Sequence, residues 1–234
     1  MKYKPAIVIL GGMGPDASAY LYKLLIKKSI KSFNARNNDD FPEIHLYSVP
    51  VPDFISNNRA RSIALEMLKQ RVKFINKSRA SYISIACNTA HVLLPELQKV
   101  STIPFVSMID ETARQVYKDN KIKVGLMGTP STIKYGLYQK ALIKYGISVL
   151  VPSKKQIAIM EKAIRNILKG NKESEDRKNL TKVADDLINQ GAEGIILGCT
   201  ELPLLFPKSY PLPVYNCVEI LATTLLKKYY AIGK

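Results

Sequence analysis

The chain has 234 residues, 47% hydrophobic and 23% charged, an ordinary balance for a globular protein with room for one large or two small α/β domains. Its 35 Lys and Arg against 19 Asp and Glu leave a formal net charge of +16, but the lysines are spread over every helical segment instead of gathering with aromatics in one block. Such a surface suits small anions better than nucleic acid. No stretch approaches the roughly 18 apolar residues of a membrane helix. The basic start MKYKPAIVILGGMGP breaks into glycines with no small-residue cleavage site, so it reads as a first strand of a cytoplasmic protein.

Short apolar runs alternate with longer amphipathic ones. Strands are expected at Ala6–Leu10, Ile44–Val49, Tyr82–Ala86, Pro104–Ser107, Lys123–Met127, Ile147–Val151, Gly194–Leu197 and Val214–Tyr215. Helices are expected over about 16–33, 60–78, 91–99, 109–119, 131–145, 154–169, 174–190 and 217–231. This alternation predicts an α/β fold of mostly parallel sheets flanked by helices. The polar stretch Ser32–Pro42 reads as a surface loop.

One unit occurs twice. A strand leads into Gly11-Gly12-Met13-Gly14-Pro15, and later another leads into Gly128-Thr129-Pro130-Ser131-Thr132. The first half then reaches SIACNTAHVLLP and the second IILGCTELPLLFP, with 76 residues from Gly11 to Cys87 and 71 from Gly128 to Cys199. The repeat predicts two pseudo-symmetric lobes. Ligands of parallel α/β sheets bind beyond the carboxyl ends of the strands, where both cysteines and both turns fall, so one cleft between the lobes is expected to receive them.

Three cysteines without an export signal argue against a disulfide framework. Two thiols on opposite sides of a carbon suit two-base racemisation: one thiolate takes a proton from one face and the other thiol returns one to the opposite face. Asn88, Thr89 and Thr200, which follow the cysteines, together with backbone N–H groups, can hold a substrate carboxylate. Thr129, Ser131 and Thr132 supply the second lobe's counterpart of the glycine turn. Cys217 lies on the apolar side of NCVEILATTL and is expected to pack. His91, four residues after Cys87, is expected to hydrogen-bond at a helix start instead of binding zinc. His45 is the one other histidine. The glycine turn lacks both the G-x-G-x-x-G and the Walker spacing, which argues against a nucleotide loop.

GGMGP (Gly11–Pro15), ACNTAH (Ala86–His91) and GCTELP (Gly198–Pro203) together resemble the aspartate/glutamate racemase family, in its order and spacing over essentially the whole chain. GCTE with GGMGP is most similar to its aspartate racemase branch. The resemblance implies interconversion of L- and D-aspartate with Cys87 and Cys199 as the acid/base pair and no cofactor, pyridoxal phosphate or metal. Met13, Asn88, Thr89, Ala90, Thr129, Thr132, Thr200 and Glu201 lie in the matching substrate-contact blocks. It also implies a homodimer, a small amino-acid dicarboxylate as partner, and a last segment that returns to the first lobe. The lobes are thus expected at 1–110 plus 212–234, and at 111–211. Three positions depart from the pattern. Phe54 stands where a basic residue can occur, which leaves Arg59 and Arg61 as candidates. Lys169 is one residue out of register with the lysine that would grip the side-chain carboxylate, and Asn216 replaces a frequent aspartate. Glutamate or broader substrates, and a maleate-type isomerisation on the same fold, are the alternatives; an anion- or nucleic-acid-binding protein is a remote one.

Overall fold

The computed structural model describes residues 6–53 and 58–232, the side chains of Asn58 and Arg59 excepted. The chain opens with β1 (Ala6–Gly11), buried at every position, as a strand covered on both faces must be. Helix α1 (Pro15–Phe33) starts on a proline, whose missing N–H is no loss in a first turn, and stops where Asn34 turns left-handed at φ 56°. There follow β2 (Ile44–Ser48), α2 (Asn58–Ile75), β3 (Ala80–Ile85), α3 (Leu94–Val100) and β4 (Phe105–Val106). All pairings are parallel and the strand order is β2-β1-β3-β4. Val8, Leu10, Ile83 and Ile85 of the central strands pack on Leu68, Val72 and Ile75 of α2.

The second half repeats this plan. It comprises α4 (Met108–Lys118), β5 (Lys123–Gly128), α5 (Pro130–Lys134), α6 (Leu137–Leu142), β6 (Ser148–Leu150), α7 (Lys154–Leu168), α8 (Ser174–Asn189), β7 (Ile195–Gly198) and β8 (Val214–Asn216), followed by α9 (Cys217–Ala231). Its sheet is again parallel, in the order β6-β5-β7-β8. Met127, Ile195 and Leu197 pack on Met160, Ile164 and Ile167 of α7 and on Leu180, Val183 and Leu187 of α8. Among the described residues the fold is therefore α/β, with two four-stranded parallel sheets flanked by helices.

Three expectations need correction. The chain divides into one compact unit up to Met108 together with the segment from Val218, and a second over Ile109–Cys217. Residues 212–217, expected in the first lobe, fall in the second because β8 hydrogen-bonds to β7. The helix expected over 131–145 breaks into α5 and α6 at Gly136, whose φ of 63° no helix accepts. The helix expected over 91–99 begins earlier, as a 3-10 turn over Thr89–Leu93. Pro95 has no N–H to continue an α ladder backwards, so the α-helix proper starts at Leu94.

The glycine turn after β1 is dictated by space. A Cβ on Gly12 would lie 2.5 Å from the Val49 amide nitrogen and 2.7 Å from its carbonyl oxygen, at a φ of +88°. Gly12→Ala is expected to destabilise the protein by about 2 kcal/mol or more, strain and clash acting together. A urea unfolding midpoint equal to that of the unaltered protein would contradict this.

Candidate active site

Each unit builds a half-site at the same topological point. From β1 the chain goes outward to β2, then returns to the other side of β1 as β3. The carboxyl ends of β1 and β3 therefore flank the switch point, where open α/β sheets leave a crevice. The glycine turn leaves β1 there. The Ala86 amide donates to Leu10 O at 2.8 Å, so Cys87 is the next residue beyond the paired ends. In the second unit β5 and β7 stand in the same relation. Gly128 is paired with Gly198, and Cys199 follows at once.

In the first half-site Cys87 is half-buried and rests on the same apolar cluster as Met13. Asn88, Thr89 and Ala90 are buried beside it. The His91 ring is buried as well, with Nδ1 2.8 Å from the Cys87 carbonyl oxygen. The Met108 amide donates to Nε2 at 3.1 Å. An accepting Nε2 leaves the proton on Nδ1, so His91 is a neutral imidazole donating to Cys87 O. It is the backbone anchor expected from the sequence. Ser18 went unnoticed there. Its hydroxyl accepts from the Gly12 amide at 3.0 Å and donates to Gly14 O at 3.1 Å, stitching the glycine turn to α1. The Gly12 N–H is thus engaged within the turn. The spacing G-G-M-G-P-x-x-S was the available signal.

In the second half-site Cys199 is buried, and its Sγ donates to Glu201 Oε2 at 3.0 Å. Thr200 Oγ1 donates to the same oxygen at 2.9 Å. Between a thiol and a carboxylate this contact is a charge-assisted hydrogen bond, and it favours the thiol form of Cys199. Thr129 caps α5: its hydroxyl accepts from the Thr132 amide at 3.1 Å and donates to Thr132 Oγ1 at 2.9 Å. Beneath the strand end lies fully buried Tyr138, and a Cβ on Gly198 would come within 2.9 Å of its Cε2. Burial pushes the Tyr138 phenol well above its ordinary pKa, and neighbouring Cys217 adds to the shift. It therefore stays neutral. Cys217 is itself fully buried, in keeping with a packing role.

The remaining candidates fall less centrally. Lys169 is exposed at the end of α7. The turn after it leads into α8, which is tied to α7 by Asn166 Nδ2 donating to Asp176 Oδ2 at 2.8 Å and to the segment after β7 by Arg177 Nε donating to Leu205 O at 3.1 Å. Asn216 ends β8 in register with Leu197, two residues before Cys199. Arg61 is half-buried on α2. Phe54 and the Arg59 side chain lie outside the described residues. Among the described residues no three His, Cys, Asp or Glu side chains cluster as a metal site, and no helix is long and apolar enough to cross a membrane.

Comparison with known proteins gives a consistent result. The Asp/Glu/Hydantoin racemase family profile matches residues 10–225. The chain is 26% identical over 226 residues to the broad specificity amino-acid racemase RacX of Bacillus subtilis (strain 168), covering 96% of this chain and 98% of that one. It is similar in structure to the Picrophilus torridus aspartate racemase, with a TM-score of 0.82 and 29% identity over 97% of this chain and 94% of the other. An aspartate racemase homologue from Pyrococcus horikoshii OT3 superposes with a TM-score of 0.81 and 28% identity, covering 96% of this chain and 99% of that one.

Proposed function

Because the chain belongs to the Asp/Glu/Hydantoin racemase family, we propose that it is a cofactor-independent isomerase that interconverts L- and D-aspartate through Cys87 and Cys199. The observation that carries this reading is the equivalence of the two thiols: each is delivered to the switch point of its own parallel sheet, beside a turn from the neighbouring strand. Such duplication serves a reaction that needs the same chemistry on two faces of one carbon.

In this reaction a thiolate removes the α-proton, and the electron pair it leaves spreads into the substrate carboxylate. The opposite thiol then donates its proton to the other face, inverting the centre. One sulfur ends protonated and the other deprotonated, so the reverse reaction starts from the product form. Cys199, whose thiol donates to Glu201, is the acid of the resting enzyme, and half-buried Cys87 is its base. The buried side chains of Asn88 and Thr89 hold the carboxylate as charge develops on it, while the Thr200 hydroxyl spends its one proton on Glu201. Lys169 is the cation we assign to the side-chain carboxylate, supported by its exposure on the turn between α7 and α8 in the unit that carries Cys199.

Likeness to aspartate racemases over nearly the whole chain supports aspartate as substrate. The end-to-end match to a broad-specificity racemase supports a second reading, a wider set of amino acids. The test is an amino-acid panel analysed by chiral chromatography, run in heavy water with proton NMR at Cα. Aspartate is expected to racemise with one deuterium gained at Cα. Turnover of other amino acids but not aspartate favours the broad reading. Absence of α-exchange with every amino acid tried overturns both, and so separates racemisation from a maleate-type isomerisation.

A further inference from the structure

The two half-sites differ in how the carbonyl of the reactive cysteine is held. Cys199 O accepts from the backbone amide of Leu202 at 3.2 Å, an ordinary turn contact, and the residue four beyond Cys199 is Pro203. Cys87 O instead receives the Nδ1–H of the His91 ring, from the residue four beyond it. The His91 backbone amide holds the next carbonyl, Asn88 O, at 3.0 Å. One residue therefore secures two consecutive carbonyls, while its Nε2 is tied to the first amide of α4. A buried imidazole with both nitrogens committed to backbone is a rigid strut from the end of β3 to the start of α4.

We propose that His91 is the positioning residue for Cys87, acting through the hydrogen bond from its Nδ1–H to the Cys87 carbonyl. The inference rests on Cys87 being a reacting thiol. A cysteine has a single side-chain torsion that places its sulfur, with three staggered wells. Once the backbone at Cys87 is fixed, the sulfur has few places to be. Because the peptide is planar and trans, clamping the Cys87 carbonyl also aims the Asn88 N–H in the opposite direction, away from His91. Cys199 needs no such strut, since its sulfur is held directly by Glu201. The effect of His91 is therefore confined to the Cys87 half of the reaction.

Two conservative variants separate the two ring bonds. The Asn Nδ2 occupies the place of the His Nδ1, so His91→Asn keeps the donor to Cys87 O and loses the acceptor for the Met108 amide. His91→Gln does the reverse, and His91→Phe loses both. With α-deuterated L- and D-aspartate, His91→Phe is expected to lose about 10- to 100-fold in kcat with KM within threefold, the loss that misplacing a reacting atom brings. Its primary isotope effect should rise for one enantiomer only, the one deprotonated by Cys87. His91→Asn should recover at least tenfold of the lost kcat, and His91→Gln should not. Recovery by Gln and not by Asn, or a His91→Phe enzyme with unchanged kcat, overturns the proposal. Should aspartate not turn over at all, the functional reading has failed, but iodoacetamide labelling followed by peptide mass spectrometry still tests the strut. Labelling of Cys87 should then rise at least threefold in His91→Phe and return towards the original rate in His91→Asn, with Cys199 unchanged throughout. A Cys87 labelling rate that is the same in all variants overturns the proposal on that readout.

Discussion

Cys87→Ala and Cys199→Ala are each expected to lower racemisation of aspartate by about 10³-fold or more, because under the proposed two-base scheme each deletes the proton donor or acceptor for one face of the carbon. The two variants should not be equivalent in heavy water. Where Cys87 remains, its half-buried sulfur exchanges its proton with solvent, and one enantiomer should take up α-deuterium without inverting. Where Cys199 remains, the thiol is buried and hydrogen-bonded to Glu201, so wash-in to the other enantiomer should be slower. Chiral chromatography with NMR of the recovered aspartate measures both quantities. Retention of more than a tenth of the original rate by either variant would sink the two-base scheme.

The second large effect is expected at Glu201. Its Oε2 accepts from both the Cys199 thiol and the Thr200 hydroxyl, in a buried setting where a charged acceptor is at its strongest. Glu201→Gln keeps the shape but removes the charge and presents an amide that can donate to sulfur. A hydrogen bond to a charged group contributes about 1.5–3 kcal/mol, so kcat should fall roughly 10- to 100-fold with little change in KM. Thr200→Val removes only the second, neutral donor to the same oxygen and should cost less. Steady-state kinetics of the two variants decides the matter. Equal losses, or a Glu201→Gln enzyme as fast as the original, would show that the carboxylate does not act on the thiol.

Much of the fold was legible because parallel strands covered on both faces must be apolar throughout. AIVILG and IILG announce β1 and β7 as unbroken hydrophobic runs. The candidate residues stood out for a related reason: a duplicated sheet puts equivalent residues after equivalent strands, so two Cys-containing blocks lie at near-equal distance from two turns. The helix over 131–145 misled because its periodicity is helical on both sides of Gly136, and periodicity carries no information about a single positive φ. The membership of residues 212–217 misled because Val214–Asn216 is short, and nothing local tells a three-residue strand which sheet it joins.

What the sequence by itself determined is the pattern of local chemistry: eight strands and their helices, the paired thiols, the glycine and threonine turns, and the dismissal of Cys217. Those features are written in neighbouring residues, in burial period and in spacing. What only the tertiary structure decided is where the side chains of the half-sites point. The ring of His91 joins the Cys87 carbonyl to the Met108 amide, which lies seventeen positions beyond His91 itself. The carboxylate of Glu201 turns back on Cys199 and Thr200, and its burial there at 5% exposure requires the partners it finds. Direction and partnership of polar groups depend on what distant segments exclude from water, and one-dimensional spacing does not record that.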